Sequence, residues 1–280
     1  MGRDLFNFGK TAILMGAMMG LFVAVGGMFG EGFLIPALLF GGGMNLVAFF
    51  FSDTIAIRSM RGREVTAENG GDLYAMVDRL RRRADLPMPR VYLTPHSAPN
   101  AFATGRSPNR SAVAMTQGAV DLMQPHELEG VIAHELAHIK HRDTLISTMA
   151  GVMAGVLAFL AQWGLFFGGA RGRNPLATIV VVILGAVGAV VLKAAISRSR
   201  EFAADAEGAR IAGSSNGLMS ALATLENANR RIPMRGTNSA LHNMFIIEPF
   251  GGDTLSKLFA THPPTEKRLA ALRNVRIDAA

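Results

Sequence analysis

His134-Glu135-Leu136-Ala137-His138 is the stretch on which the reading of this chain turns. Residues four apart lie on one face of a helix, so both imidazoles can address one cation. Glu135 occupies an adjoining part of that face, where its carboxylate can polarise a metal-bound water. Leu128, Val131, Ile132, Leu136 and Ile139 recur at helical spacing around the motif, and no proline interrupts them. The stretch is therefore expected to be a helix starting near Gln124-Pro125. A pair of polar histidines on a helix surface is the bland account, and the intact pattern within a helical stretch argues against it.

Two histidines leave zinc short of a ligand, because a catalytic site takes three protein ligands and keeps one position open. The chain has no cysteine, so the third must be His, Asp or Glu; disulfides and cysteine nucleophiles are excluded with it. Glu201 stands out in Ser197-Arg198-Ser199-Arg200-Glu201-Phe202-Ala203-Ala204-Asp205, with Asp205 one turn further on. There Glu201 can reach the metal while Asp205 orients a ligand histidine. A Glu/Arg helix surface laced with salt bridges accounts for the same residues, and spacing by itself does not choose. His141 reads as a flank, and His96, His126 and His242 have no legible partner.

Away from the motif the chain turns apolar. Half of its 280 residues are apolar, 18% are charged, and the mean hydropathy is +0.28. Four stretches, residues 11–30, 32–52, 144–170 and 174–192, lack every Asp, Glu, Lys and Arg. A membrane helix needs roughly 20 apolar residues, so four spans in two hairpins are expected. Pro36 and Gly41-Gly42-Gly43 make the second irregular. A signal peptide is the alternative for the first, but its apolar core is too long and no small-x-small cleavage site follows. The remaining polar chain is too small to bury all four as soluble helices. Basic residues (Arg3, Lys10, Arg58, Arg61, Arg63, Lys140, Arg142, Lys193, Arg198, Arg200) flank the hairpins on one side, which the positive-inside rule makes cytoplasmic. Arg171 and Arg173 fall in the opposite turn and weaken this orientation without reversing it.

The division expected is thus a membrane hairpin over 1–52, polar chain over 53–143, a second hairpin over 144–192 and polar chain over 193–280. The net charge of +7 is no nucleic-acid footprint, since the polar segments carry 12 Lys+Arg against 11 Asp+Glu and 12 against 8. The run Arg79, Arg81, Arg82, Arg83 reads as a solvated face or an anionic-lipid contact. A helix is expected near 71–85 and strands at 90–94, 101–104 and 111–116, with Gly105-Arg106-Ser107-Pro108-Asn109 as hairpin loop. Further helices are expected over 193–212, 214–226 and 265–274. If the motif helix ran unbroken into the third span, His138 would stand about 9 Å above it, and Glu201 about 14 Å above the fourth.

These residues resemble the HtpX heat-shock membrane metalloproteases, relatives of the CAAX prenyl endopeptidases. The resemblance covers nearly the whole chain: the N-terminal hairpin, Asn100-Ala101-Phe102-Ala103-Thr104-Gly105, the motif from His134 to His138, Arg200-Glu201-Phe202-Ala203-Ala204-Asp205, and Thr261-His262-Pro263-Pro264 with Arg268. It implies a mainly α integral membrane protein whose cytoplasmic domain is a gluzincin-like α+β zinc protease with a small sheet. It implies one Zn2+ on His134, His138 and Glu201, with Glu135 as base. It implies His262 as the histidine that approaches the substrate, Arg268 as its support, and Asn100 to Thr104 as the edge strand that aligns peptide. The implied setting is a bacterial inner membrane, with both termini and the site cytoplasmic, and the implied substrates are misfolded membrane proteins. A metal-stabilised scaffold or chaperone that does not cut is the competing reading. A metal transporter would want ionisable residues within the spans, and the four stretches have none.

Overall fold

A computed structural model describes residues 2–27, 30–169, 198–231, 246 and 263–277. The first two apolar stretches form helices α1 (Gly2–Gly27) and α2 (Leu34–Ser59), joined through a 3₁₀ turn, Glu31–Phe33. Pro36 lies in the first turn of α2, where a missing N–H breaks no helical bond. Buried Asn45 donates from Nδ2 to the Met15 carbonyl at 3.0 Å and ties the two helices together. Leu14, Met18, Leu21 and Phe22 of α1 pack with Ala48 of α2 and with Ile146, Met149 and Met153 of α6 (Thr144–Gly169). The other face of α2 is bare: Ile35 and Leu39 are each 70% exposed, with Phe40, Leu46 and Phe51 beside them. Soluble monomers rarely expose so large an apolar patch. Among the described residues one helix, spanning Glu31–Ser59, is long and apolar enough to cross a membrane; the apolar parts Thr11–Ala24 and Thr144–Ala154 are shorter. The fourth expected span lies outside the described residues.

Beyond α2 come β1 (Arg63–Val65), α3 (Gly71–Arg83), β2 (Arg90–Thr94), β3 (Ala101–Ser107), β4 (Arg110–Thr116), α4 (Gln117–Leu122) and α5 (Pro125–Lys140). After α6 the described elements are α7 (Arg198–Ala212), α8 (Asn216–Arg231) and α9 (Thr265–Leu272). The sheet order is β1-β2-β4-β3, with β2 and β4 parallel and the other pairs antiparallel. The β3–β4 hairpin is tighter than the expected loop, because both strands extend to Ser107 and Arg110. Gly105 permits this: at φ +128°, any Cβ there would collide with the Arg110 carbonyl. β1 and α4 lie outside the expected elements; β1 is three residues long and takes its shape from pairing with β2.

β4 is buried on both faces, which is why it reads as small and apolar rather than alternating. Val113 and Met115 face the core that α5 shares with α3, α7 and α8, while Ala112 and Ala114 pack on Phe102 and on Ala56, Ile57 and Met60 at the end of α2. That core draws on residues from both polar segments, from Met76 to Leu272. Arg79 and Arg83 pair with Glu129, Arg81 and Arg82 pair with Asp78, and Arg83 also donates to the Ala212 carbonyl. Arg79 and Arg83 thus brace α3 against its neighbours, while Arg81 and Arg82 pair within α3.

Candidate metal centre

α5 begins with a capping box: Gln124 and Glu127 satisfy one another's backbone, and Pro125 opens the first turn. The buried face of α5 then carries His134, Glu135 and Leu136 into the core, with His134 1% and Glu135 2% exposed. α7 lies against α5 and brings Glu201 to the two imidazoles. Gly208 makes that approach possible, since a Cβ there would stand 2.9 Å from the Cα and N of His134.

One ligand atom from each of His134, His138 and Glu201 lies within 4.8 Å of the others. The two Nε2 atoms are 3.2 Å apart; Glu201 Oε1 is 3.5 Å from His138 Nε2, and Oε2 is 3.8 Å from His134 Nε2. A tetrahedral zinc with nitrogen and oxygen ligands spaces its ligand atoms by about 3.3 Å. The three donors therefore fit such an ion with little movement.

The charges fit a cation as well. Burial pushes His134 down to about 4, which leaves it neutral, as a metal ligand must be. Burial also disfavours charge on His138, but Asp143, Glu201 and Glu135 outweigh it and raise the imidazole to about 9. The acidic groups thus hold a proton on His138, and a cation bound there would take that proton's place. On the far side of His134, Nδ1 lies 3.0 Å from Asp205 Oδ1, out of line for a full hydrogen bond. Burial would raise the Asp205 carboxyl, yet Arg268 holds it down to about 2 through bonds of 2.6 and 2.8 Å. Arg268, 1% exposed, also donates to the Ile246 carbonyl at 2.8 Å. His262 lies outside the described residues.

Asn100 precedes β3, and Ala101 to Thr104 lie within it, at an edge of the sheet. Part of that edge is taken: the Ala101 carbonyl accepts from Ile246 N at 3.2 Å, and the Gly105 carbonyl accepts from Thr144 Oγ1 at 2.8 Å. By the alternation of strand hydrogen bonds, Ala103 faces the same edge between them.

Two features were not legible in the sequence. Asp143 Oδ2 lies 3.4 Å from His138 Nδ1, brought there by a turn. α5 and α6 are not one helix: Arg142, at φ 56°, breaks them apart, so the height computed for an unbroken helix does not apply. Gly208 is the second, since a glycine within a helix pattern reads only as weakness. His141 caps the end of α5, and burial depresses the pKa of His96.

The sequence profile of peptidase family M48 matches residues 67–276. A protease HtpX homolog of Desulforapulum autotrophicum is 46% identical over 276 residues, covering 95% of this chain and 89% of its own length. The protease HtpX homolog of Gemmatimonas aurantiaca is 48% identical over 272 residues, with 94% and 97% covered. In fold, the chain is similar to the crystal structure of S. mikatae Ste24p at a TM-score of 0.51 and 19% identity, matching 97% of this chain and 66% of that one. With a profile match that takes in His134, His138 and Glu201 and relatives aligned over nearly its full length, the chain belongs to peptidase family M48, as a metalloprotease of the HtpX type.

Proposed function

We propose that this chain is a zinc-dependent endopeptidase of a bacterial inner membrane, which hydrolyses peptide bonds of misfolded or damaged membrane proteins. The observation that carries the reading is the triangle of two Nε2 atoms and one carboxylate, with edges of 3.2, 3.5 and 3.8 Å. His134, His138 and Glu201 would hold the ion. When bound, zinc lowers the pKa of a water and polarises the scissile carbonyl. Glu135 is the base: its carboxylate would accept a proton from the attacking water and deliver it to the leaving amine. His262, on the resemblance to HtpX proteases, donates to the developing oxyanion. Asp205, held by Arg268, steadies the His134 ring. A substrate strand pairs with the β3 edge at Ala103, with Asn100, Ala101, Phe102 and Thr104 shaping the strand it meets.

The membrane part of the reading rests on the apolar stretches and on the bare face of α2. Four spans in two hairpins place the site and both termini on the cytoplasmic side. The test is to purify wild type and Glu135→Gln in mild detergent, supply zinc, and follow an unfolded test protein. About one zinc per chain in both is expected, with fragments from the wild type and a loss of about 10²–10⁴-fold in the variant. Equal cleavage by the variant removes Glu135 from the mechanism. Zinc without fragments from either turns the reading to a metal-stabilised scaffold.

A further inference from the structure

The end of α5 is closed by three backbone bonds. His141 N reaches the Ala137 carbonyl at 2.9 Å, Arg142 N the Ile139 carbonyl at 3.0 Å, and Asp143 N the His138 carbonyl at 3.0 Å. With Arg142 in the left-handed region, this is a Schellman closure, in which the residue after the left-handed one is folded back onto the last turn. The residue folded back is Asp143, and the carbonyl it meets belongs to His138. The same turn sets the Asp143 carboxylate, 5% exposed, against the His138 ring, with Oδ2 3.4 Å from Nδ1. The other carboxylate oxygen, Oδ1, is 3.8 Å from Nη1 of Arg200, the residue before Glu201 on α7. That Nη1 is buried and makes no hydrogen bond among the described residues.

The arrangement repeats on the other histidine. His134 turns Nε2 inward and Nδ1 towards Asp205, which is backed by buried Arg268. Each imidazole therefore has its own carboxylate, each carboxylate its own arginine, and each arginine comes from a different helix.

We infer that Asp143, backed by Arg200, is the positioning residue for His138, as Asp205 is for His134. A carboxylate on Nδ1 keeps the proton there, leaves the Nε2 lone pair free for the cation, and stops the ring from turning. His138 needs this more than His134, because its side chain is 16% exposed where that of His134 is 1% exposed, so packing restrains it less. The inference rests on the metal-site reading above.

The test uses the full chain in detergent, with Asp143→Asn and Asp143→Ser. Both variants keep a side-chain oxygen able to cap the start of α6. Only Asn also keeps an acceptor at the reach of Nδ1. Zinc affinity is read by competition with a chromophoric chelator, and ligand geometry by the visible spectrum of the Co2+ form. The Ser variant is expected to lose about 10–100-fold in zinc affinity and to show a changed Co2+ spectrum. The Asn variant should stay within several-fold of wild type. A Ser variant that binds zinc like wild type with an unchanged spectrum overturns the inference, whatever its thermal stability. If that variant does not fold, Arg200→Met carries the test: a weakened zinc site supports the inference, and wild-type affinity overturns it. Wild type that binds no zinc defeats the metal-site reading itself, and the inference with it.

Discussion

Glu127 does two jobs at one residue. Its Oε2 accepts from Gln124 N at 2.9 Å and completes the cap of α5, while Oε1 accepts from Ser220 and Thr224 of α8. The helix start near Gln124-Pro125 was legible as local chemistry; the reach of Glu127 to two hydroxyls was not, because they arrive from a helix far along the chain. Burial raises the Glu127 carboxyl, but the bonds from Ser220, Gln124 and Thr224 outweigh it, and the pKa falls below the ordinary value. A carboxyl depressed on folding adds stability that is full above its unfolded pKa and fades as pH falls through the folded one. Glu127→Gln should therefore cost about 1–3 kcal/mol near neutral pH, and the gap to wild type should close in acid. Denaturant unfolding of both proteins along a pH series checks this; a gap that stays constant into acid would show that the charge plays no part.

Helix against helix, the site depends on how closely α7 approaches α5. Glu201, Asp205 and Gly208 share one face of α7, and the bare Cα of Gly208 lets the backbone of His134 come near. Gly208→Ala must push the helices apart or shift His134. It is expected to destabilise the protein by about 1–3 kcal/mol and to lower zinc affinity together with stability. Gly130→Ala, which would strike the backbone of Leu218 on α8, is the contrast: stability falls while the Glu201 triangle keeps its shape. Thermal unfolding and chelator competition on both variants separate the two outcomes. The helices other than α4, the β2 strand and the β3–β4 hairpin were readable from periodicity and turn residues. The parallel pairing of β2 with β4 was not, since registers between strands leave no mark on either strand alone.

The molecule as a whole presents an apolar surface on α2 and a polar domain built around α5. Its lack of cysteine offers a clean background for labelling. A single cysteine at Gln117, exposed at the start of α4, should resist a membrane-impermeant maleimide in intact cells and react in inverted vesicles. One at Ile35 should be slow to react from either side. Ready labelling at Gln117 from outside would reverse the orientation. The apolar stretches were legible because length and absence of charge suffice to mark them.

By itself the sequence determined the metal-binding face of α5, since helical spacing puts His134 and His138 side by side without help from the rest of the chain. It determined the apolar stretches and the order of most elements for the same reason: the forces involved act between near neighbours. Spacing left open whether Glu201 is a ligand or a surface group, and tertiary packing decided that it lies on the two imidazoles. Packing also decided that Asp143 lies on His138, through a left-handed residue no pattern announces, and that Ile246 joins Arg268 to the β3 edge. These contacts bring together groups distant along the chain, and only the burial of a shared core fixes where they meet.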